Sequence, residues 1–267
     1  MLAEPTCGIM SSDSSLIIGG RYSSREQFPW FVSVFQVLDR TKFYGTGSII
    51  SYRHVVTKAD SVSSTDEDTL KFIAVEVDQV KLVLGSENYE DNDKSIVING
   101  VEKIFVHPEA KSLQKFGDSP NSVPRIFNVA VMKLKKNLQF STVISPVCLW
   151  NFDSEIDTQI GMAVYAVGND VGYSRYATTS LKKYLLTRID TTEKCNETWG
   201  EQKEIRVGSK FFCVSGENNS TLMSYDDPLY MKVGNKWFLR GMMNSISFLD
   251  RKVILNTPVL VENIGAY

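Results

Sequence analysis

Apolar residues along this chain come in short bursts broken by polar, Gly or Pro punctuation, and hardly anywhere in long stripes of helical period. The bursts run over Trp30 to Val37, Gly47 to Ile50, Val80 to Leu84, Val101 to Val106, Asn128 to Leu134, Met162 to Val167, Lys236 to Met243 and Val253 to Leu255. Turn signals such as Gly85-Ser86-Glu87-Asn88 and Gly234-Asn235 separate them. Many short strands with turn chemistry between them predict an all-β sandwich or barrel. The exception is the stretch Asp190 to Trp199, which predicts a short helix capped by Asp190 or Thr191. The most polar segments, Ser61 to Thr69, Glu87 to Ser95 and Ala110 to Arg125, read as surface loops. No repeat of solenoid period is present.

Composition narrows the class without fixing it. A chain of 267 residues that is 43% hydrophobic and 22% charged can bury a large core, and all-β barrels of this length often form one domain. A net charge of −2 with scattered Lys and Arg argues against a nucleic-acid partner or a polybasic membrane anchor. No apolar run reaches the length of a membrane helix. Met1 to Pro5 has neither the basic start nor the apolar stretch of a signal peptide, so a secreted form would be a mature chain or a piece of a longer precursor. Asn196, Asn218 and Asn219 each open an N-x-S/T glycosylation acceptor, which fits secretion. The four cysteines, Cys7, Cys148, Cys195 and Cys213, form no C-x-x-C pair and have no neighbouring His, so no zinc site is expected. They read as two disulfides with three pairings open, or as four reduced core thiols in a cytosolic protein.

Taken in order, the punctuated strands resemble the chymotrypsin-like serine proteases along nearly the whole chain. Ile17-Ile18-Gly19-Gly20 is similar to the start of the mature enzymes, and Phe28 to Val34 to their first strand. Thr46-Gly47-Ser48-Ile49-Ile50 resembles Gly-Gly-Ser-Leu-Ile, and His54 to Asp60 resembles the run that ends in the catalytic His. Ile104 to Pro108, Asn128 to Leu134, Pro146 to Leu149, Phe211 to Cys213, Pro228-Leu229 and Gly241 to Ile246 continue the match. The resemblance implies two six-stranded antiparallel β-barrels, roughly Ile17 to Pro146 and Val147 to Leu260, with strand exchange. It also implies a propeptide-like segment 1–16 ahead of a protease-like domain 17–267. The implied disulfides are Cys7–Cys148, tethering that segment, and Cys195–Cys213. Two common family bridges are missing, with Gly45 and Ser61 at one pair of positions and Thr221 at half of another. A C-terminal helix is expected to be weak or absent, because Thr257-Pro258 and Gly265 leave it little room.

A Ser-His-Asp site needs a hydroxyl nucleophile, an imidazole that takes and returns its proton, and a carboxylate that orients the imidazole. The resemblance puts Asp60 at the imidazole position, Asn128 at the orienting carboxylate and Tyr225 at the nucleophile, within Met223-Ser224-Tyr225-Asp226-Asp227-Pro228. A carboxylate with an ordinary pKa near 3.9 is a poor base towards a serine hydroxyl. Met223 takes the place of the oxyanion-hole glycine, and Asp226 and Asp227 would oppose an oxyanion. Ser224 replaces the Asp that pairs with a new N-terminus, and Leu16 before Ile17 does not suit an activator that needs Lys or Arg. Asn219 stands at the specificity-pocket position, and Ile246 fills one where glycine admits a substrate strand. The only histidines, His54 and His107, read as structural or solvent-exposed. Glu87, Asn88, Glu90, Asp91 and Asp93 offer oxygen ligands, but Ser86 is out of register with the family's calcium loop, so a solvated acidic loop is expected and no metal or other cofactor.

Two functions follow as expectations. The first is a secreted, non-catalytic protease homologue, similar to those of arthropod immune and developmental cascades, acting as cofactor, scaffold or decoy. Its partners would be extracellular proteins, chiefly active serine proteases or their substrates, bound through the segments Ser61 to Val77 and Ala110 to Arg125. The alternative is a residual or unconventional serine-type endopeptidase or hydrolase.

Overall fold

The structure is a computed structural model. It describes residues 6–10, 21–22, 24, 26–37, 41–85, 96–98, 100–113, 125–152, 156–170, 181–200, 205, 207–216, 228–245, 248–249, 252–253 and 258–266. Strands dominate. The first sheet runs Ile96–Ile98, Val80–Leu84, Phe31–Val37, Thr41–Ile49, His54–Thr57, Ala130–Leu134, Val101–Val106, each antiparallel to its neighbour. The burst from Phe31 is buried on both faces because the sheet curls round it, whereas Ala130–Leu134 alternates buried and half-buried residues as a wall strand should.

The second sheet closes on itself. Its ladder runs Leu181–Ile189, Ala163–Asp170, Pro228–Val233, Lys236–Ser245, Val259–Asn263, Phe211–Gly216, and returns from the last to Leu181–Ile189. That is a six-stranded barrel. The expected first barrel is only partly realised: among the described residues no ladder joins Val80–Leu84 to Val101–Val106, so this sheet is a half-barrel with an open seam. Arg21–Tyr22, early in the chain, pairs with Leu181–Ile189 of the second barrel, which is the strand exchange. The chain's last described element is a single 3-10 turn over Ile264–Ala266, in keeping with the breakers around it.

An aromatic wedge joins the two halves. Phe28 packs on Trp237 at 5.4 Å and on Tyr230 at 5.8 Å, and Trp30 meets Tyr230 edge-on at 5.7 Å. Ser48 Oγ and Tyr230 Oη, one from each half, lie 2.7 Å apart in the buried interior. Both disulfides are formed, Cys7 to Cys148 and Cys195 to Cys213, so all four cysteines are paired. Beside the first, Gly8 N–H donates to the Pro146 carbonyl and Trp237 N–H donates to the Gly8 carbonyl. Gly8 has φ +70°, and a Cβ there would lie 2.3 Å from the Trp237 carbonyl oxygen, so only glycine fits.

The helix runs Thr192–Trp199, with Thr191 as N-cap accepting from Lys194 N–H. The segment read as a polar loop from Ser61 is ordered instead. Ala59–Val62 is a 3-10 turn with Ser61 buried, and Ser63–Thr65 pairs with Phe72–Ala74 in a hairpin. Phe72 explains the difference: its ring anchors the hairpin in the main core, while Asp66 holds the tip by accepting from Thr69 N–H and Oγ1–H. No helix among the described residues is long and apolar enough to cross a membrane.

Candidate functional site

Where the two halves meet, the turn after His54–Thr57 carries Asp60, and the lead-in to Ala130–Leu134 carries Asn128. Asp60 N–H donates to Asn128 Oδ1 at 3.0 Å, so these two predicted site residues are neighbours. Two cations outside the predicted set, Arg125 and Lys58, complete the contact. Arg125 Nε lies 2.7 Å from Asp60 Oδ2, and Lys58 Nζ, on a side chain only 2% exposed, lies 3.7 Å from the same oxygen. Burial of the Asp60 carboxyl works to raise its pKa, but the Arg125 and Lys58 cations beside it outweigh that, and the group lies below the ordinary carboxylate range.

The second barrel supplies the backing. Glu262, buried on Val259–Asn263, accepts the Asn128 backbone N–H through both carboxylate oxygens at 3.1 and 3.0 Å. Asn244, on Lys236–Ser245, donates from Nδ2 to Glu262 Oε2 at 3.0 Å and to the Arg125 carbonyl at 2.7 Å, and accepts from Arg125 N–H at 2.9 Å. Arg125 is therefore gripped at both ends, its backbone by Asn244 and its guanidinium by Asp60. Between Arg125 and Asn128, Phe127 adopts φ +52° and stacks flat on His107 at 4.7 Å. A bulky residue in that region carries a strain of about 1–3 kcal/mol, which the surrounding packing must over-determine.

Chemically, this cluster holds a fixed, ion-paired carboxylate. Two buried atoms, Asp60 Oδ1 and Asn128 Nδ2, have no hydrogen-bond partner among the described residues. Of the two histidines, His54 Nδ1 bonds to Ser51 Oγ at 2.8 Å at the start of the strand that leads to Asp60, and His107 borders the cluster, stacked on Phe127. His107 has its pKa lowered by burial, with a smaller contribution from Lys210 and an opposing one from Glu109. Tyr225, Met223, Ser224, Asp226, Asp227, Asn218, Asn219 and Ile246 lie outside the described residues, as do Leu16, Ile17 and the acidic segment Ser86 to Ser95. Lys58 and Arg125 had a signal in the sequence, since each is a lone cation close to an assigned position, two residues before Asp60 and three before Asn128. Glu262 had none, because only the fold brings that strand beneath Asn128.

Residues 17–223 match the family described as Trypsin, most of the chain. The chain belongs to the trypsin family. Among curated relatives, this trypsin-family chain is 26% identical over 84% of its length to the "Inactive CLIP domain-containing serine protease A8" of Anopheles gambiae. It is 24% identical over 98% of its length to "CLIP domain-containing serine protease B10" of the same mosquito. It is 25% identical over 96% of its length to "Phenoloxidase-activating factor 1" of Holotrichia diomphalia. It spans 58%, 70% and 68% of those proteins' own lengths respectively, so it corresponds to a part of each.

Proposed function

We propose that this trypsin-family chain acts by binding and not by cutting, as a secreted cofactor, scaffold or decoy in an extracellular proteolytic cascade. One observation carries the reading. Asp60 and Asn128, which the family resemblance assigns to two triad positions, are neighbours, and the Asp60 carboxylate is tied to Arg125 at 2.7 Å. A base in a trypsin-like site must hold a pKa near the working pH. The cations beside Asp60 push it the other way, below a carboxylate value that is already low. Asn128 cannot stabilise an imidazolium, and the same exchange in a working triad costs about 10⁴ in kcat. The relatives include one protein called inactive, which is in keeping with this reading, and others called proteases.

Two disulfides and the glycosylation acceptors support secretion. For partner contact, the ordered hairpin Ser63–Ala74 beside the site is a stronger candidate than a loose loop, because binding through it needs little ordering. The test is affinity capture with the full chain from the extracellular fluid in which it occurs, followed by incubation with whatever is retained. An active serine protease or its protein substrate, retained intact, is expected. Cleavage of the retained protein by the purified chain would overturn the proposal in favour of a residual hydrolase.

A further inference from the structure

The helix Thr192–Trp199 buries Cys195 and Trp199, four residues apart and so on one face. That face is fixed twice, by the disulfide to Cys213 and by Trp199 Nε1–H donating to the Pro258 carbonyl at 3.0 Å. Glu193, Asn196 and Glu197 are left exposed to solvent. The Asn196 carboxamide makes no hydrogen bond to any described residue, and the position one turn on is Gly200, so no side chain screens it from that direction. Asn196-Glu197-Thr198 reads N-x-T, and the Thr198 hydroxyl makes only a long contact, 3.4 Å, to the Lys194 carbonyl. All four cysteines are oxidised, which places the chain in the compartments where such acceptors are used.

We infer that Asn196 carries an N-linked oligosaccharide. The donor class is a lipid-pyrophosphate-linked oligosaccharide. Asn196 Nδ2 forms a bond to the sugar C1 as the C1–O bond to the pyrophosphate breaks. The lipid pyrophosphate leaves with the bonding pair, and one amide proton passes to a base of the transferase. The sugar then covers the outward face of a helix whose inward face packs with Ile126, the residue after Arg125. It therefore lies on the side of the helix turned away from Ile126 and from the candidate site, and it covers the helix's outer surface. This holds whether the chain binds or cuts.

The test is to direct the full chain into the secretory pathway of eukaryotic cells and to release N-glycans enzymatically in heavy-oxygen water, reading both medium and cell fraction. Asn196 is expected as heavy-oxygen Asp in the tryptic peptides. Thr198→Ala should remove that label and one glycan step on a gel, while Thr198→Ser, which keeps the hydroxyl and the acceptor, should retain both. Recovery of unmodified Asn196, or a glycan pattern unchanged by Thr198→Ala, would overturn the inference. The acceptors at Asn218 and Asn219 are scored separately by their own peptides.

Discussion

Asp60 is the residue on which the site turns, and its environment gives it a pH signature. Its folded-state pKa is depressed, so the folded chain holds fewer protons here than the unfolded chain does. The stability it contributes is therefore complete above the unfolded value of about 3.9 and is lost as pH falls through the folded pKa. Asp60→Asn leaves Arg125 and Lys58 without their carboxylate, a loss between the ~0.2–1 kcal/mol of exposed pairs and the ~3–5 kcal/mol of buried ones, about 2 kcal/mol. Urea unfolding should give that difference from the unsubstituted chain at pH 7 and a smaller one at pH 3, where the unfolded carboxyl is already mostly protonated. An equal difference at both would mean the ion pair is not what Asp60 contributes. Asp60 and Asn128 were legible in the sequence because the runs that carry them are strand-like and ordered as in the family. Their electrostatic setting was not, since Arg125 and Lys58 reach Asp60 only after the turn and the inter-barrel contact have formed.

Among elements, the strands were the most legible, because alternation and turn residues determine them locally. The helix was legible from its N-cap signal, and the cap is now assigned to Thr191, whose side chain accepts from Lys194 N–H at 3.2 Å. Thr191→Ala should lower stability by about 1 kcal/mol, read as a fall in denaturation midpoint with unchanged slope. An unchanged midpoint would show that the disulfide alone holds the helix start. The hairpin after Asp60 was not legible. Its polar composition looks like a loop, and long-range contacts make it a fixed element: Phe72 packed into the core, Phe72 N–H donating to the Ala110 carbonyl and Ser112 N–H donating to the Leu70 carbonyl. Hydrogen exchange should find it protected, with Asp66→Ala speeding exchange at its tip while the barrel strands stay unchanged. Equal, fast exchange in both proteins would return the segment to the class of a mobile loop.

At the scale of the molecule, the two halves are held together by polar contacts as well as by the aromatic wedge, and the candidate site is one of those seams. Glu262 and Asn244 of the closed barrel grip the segment Arg125–Asn128 of the other half. The tether at Cys7 is a second seam, where Gly8→Ala should lower stability by more than the ~0.4–1 kcal/mol that such a change adds at an unstrained position, because Gly8 has φ +70° and the added Cβ meets the Trp237 carbonyl. A midpoint equal to that of the unsubstituted chain would show that the tether yields freely. Binding without cutting is the central claim, and it predicts how far repair can go. Asp60→His with Asn128→Asp and Tyr225→Ser should still yield no proteolysis, because by the resemblance Met223 disturbs the oxyanion-hole geometry, Ser224 lacks the charge that orders an activated pocket and Ile246 crowds the substrate strand. The most direct measurement uses the unsubstituted chain. Incubated with a fluorophosphonate that labels reactive serines, it should show no covalent adduct by intact mass under conditions that label an active trypsin-like protease completely. Stoichiometric labelling of this chain would contradict the account.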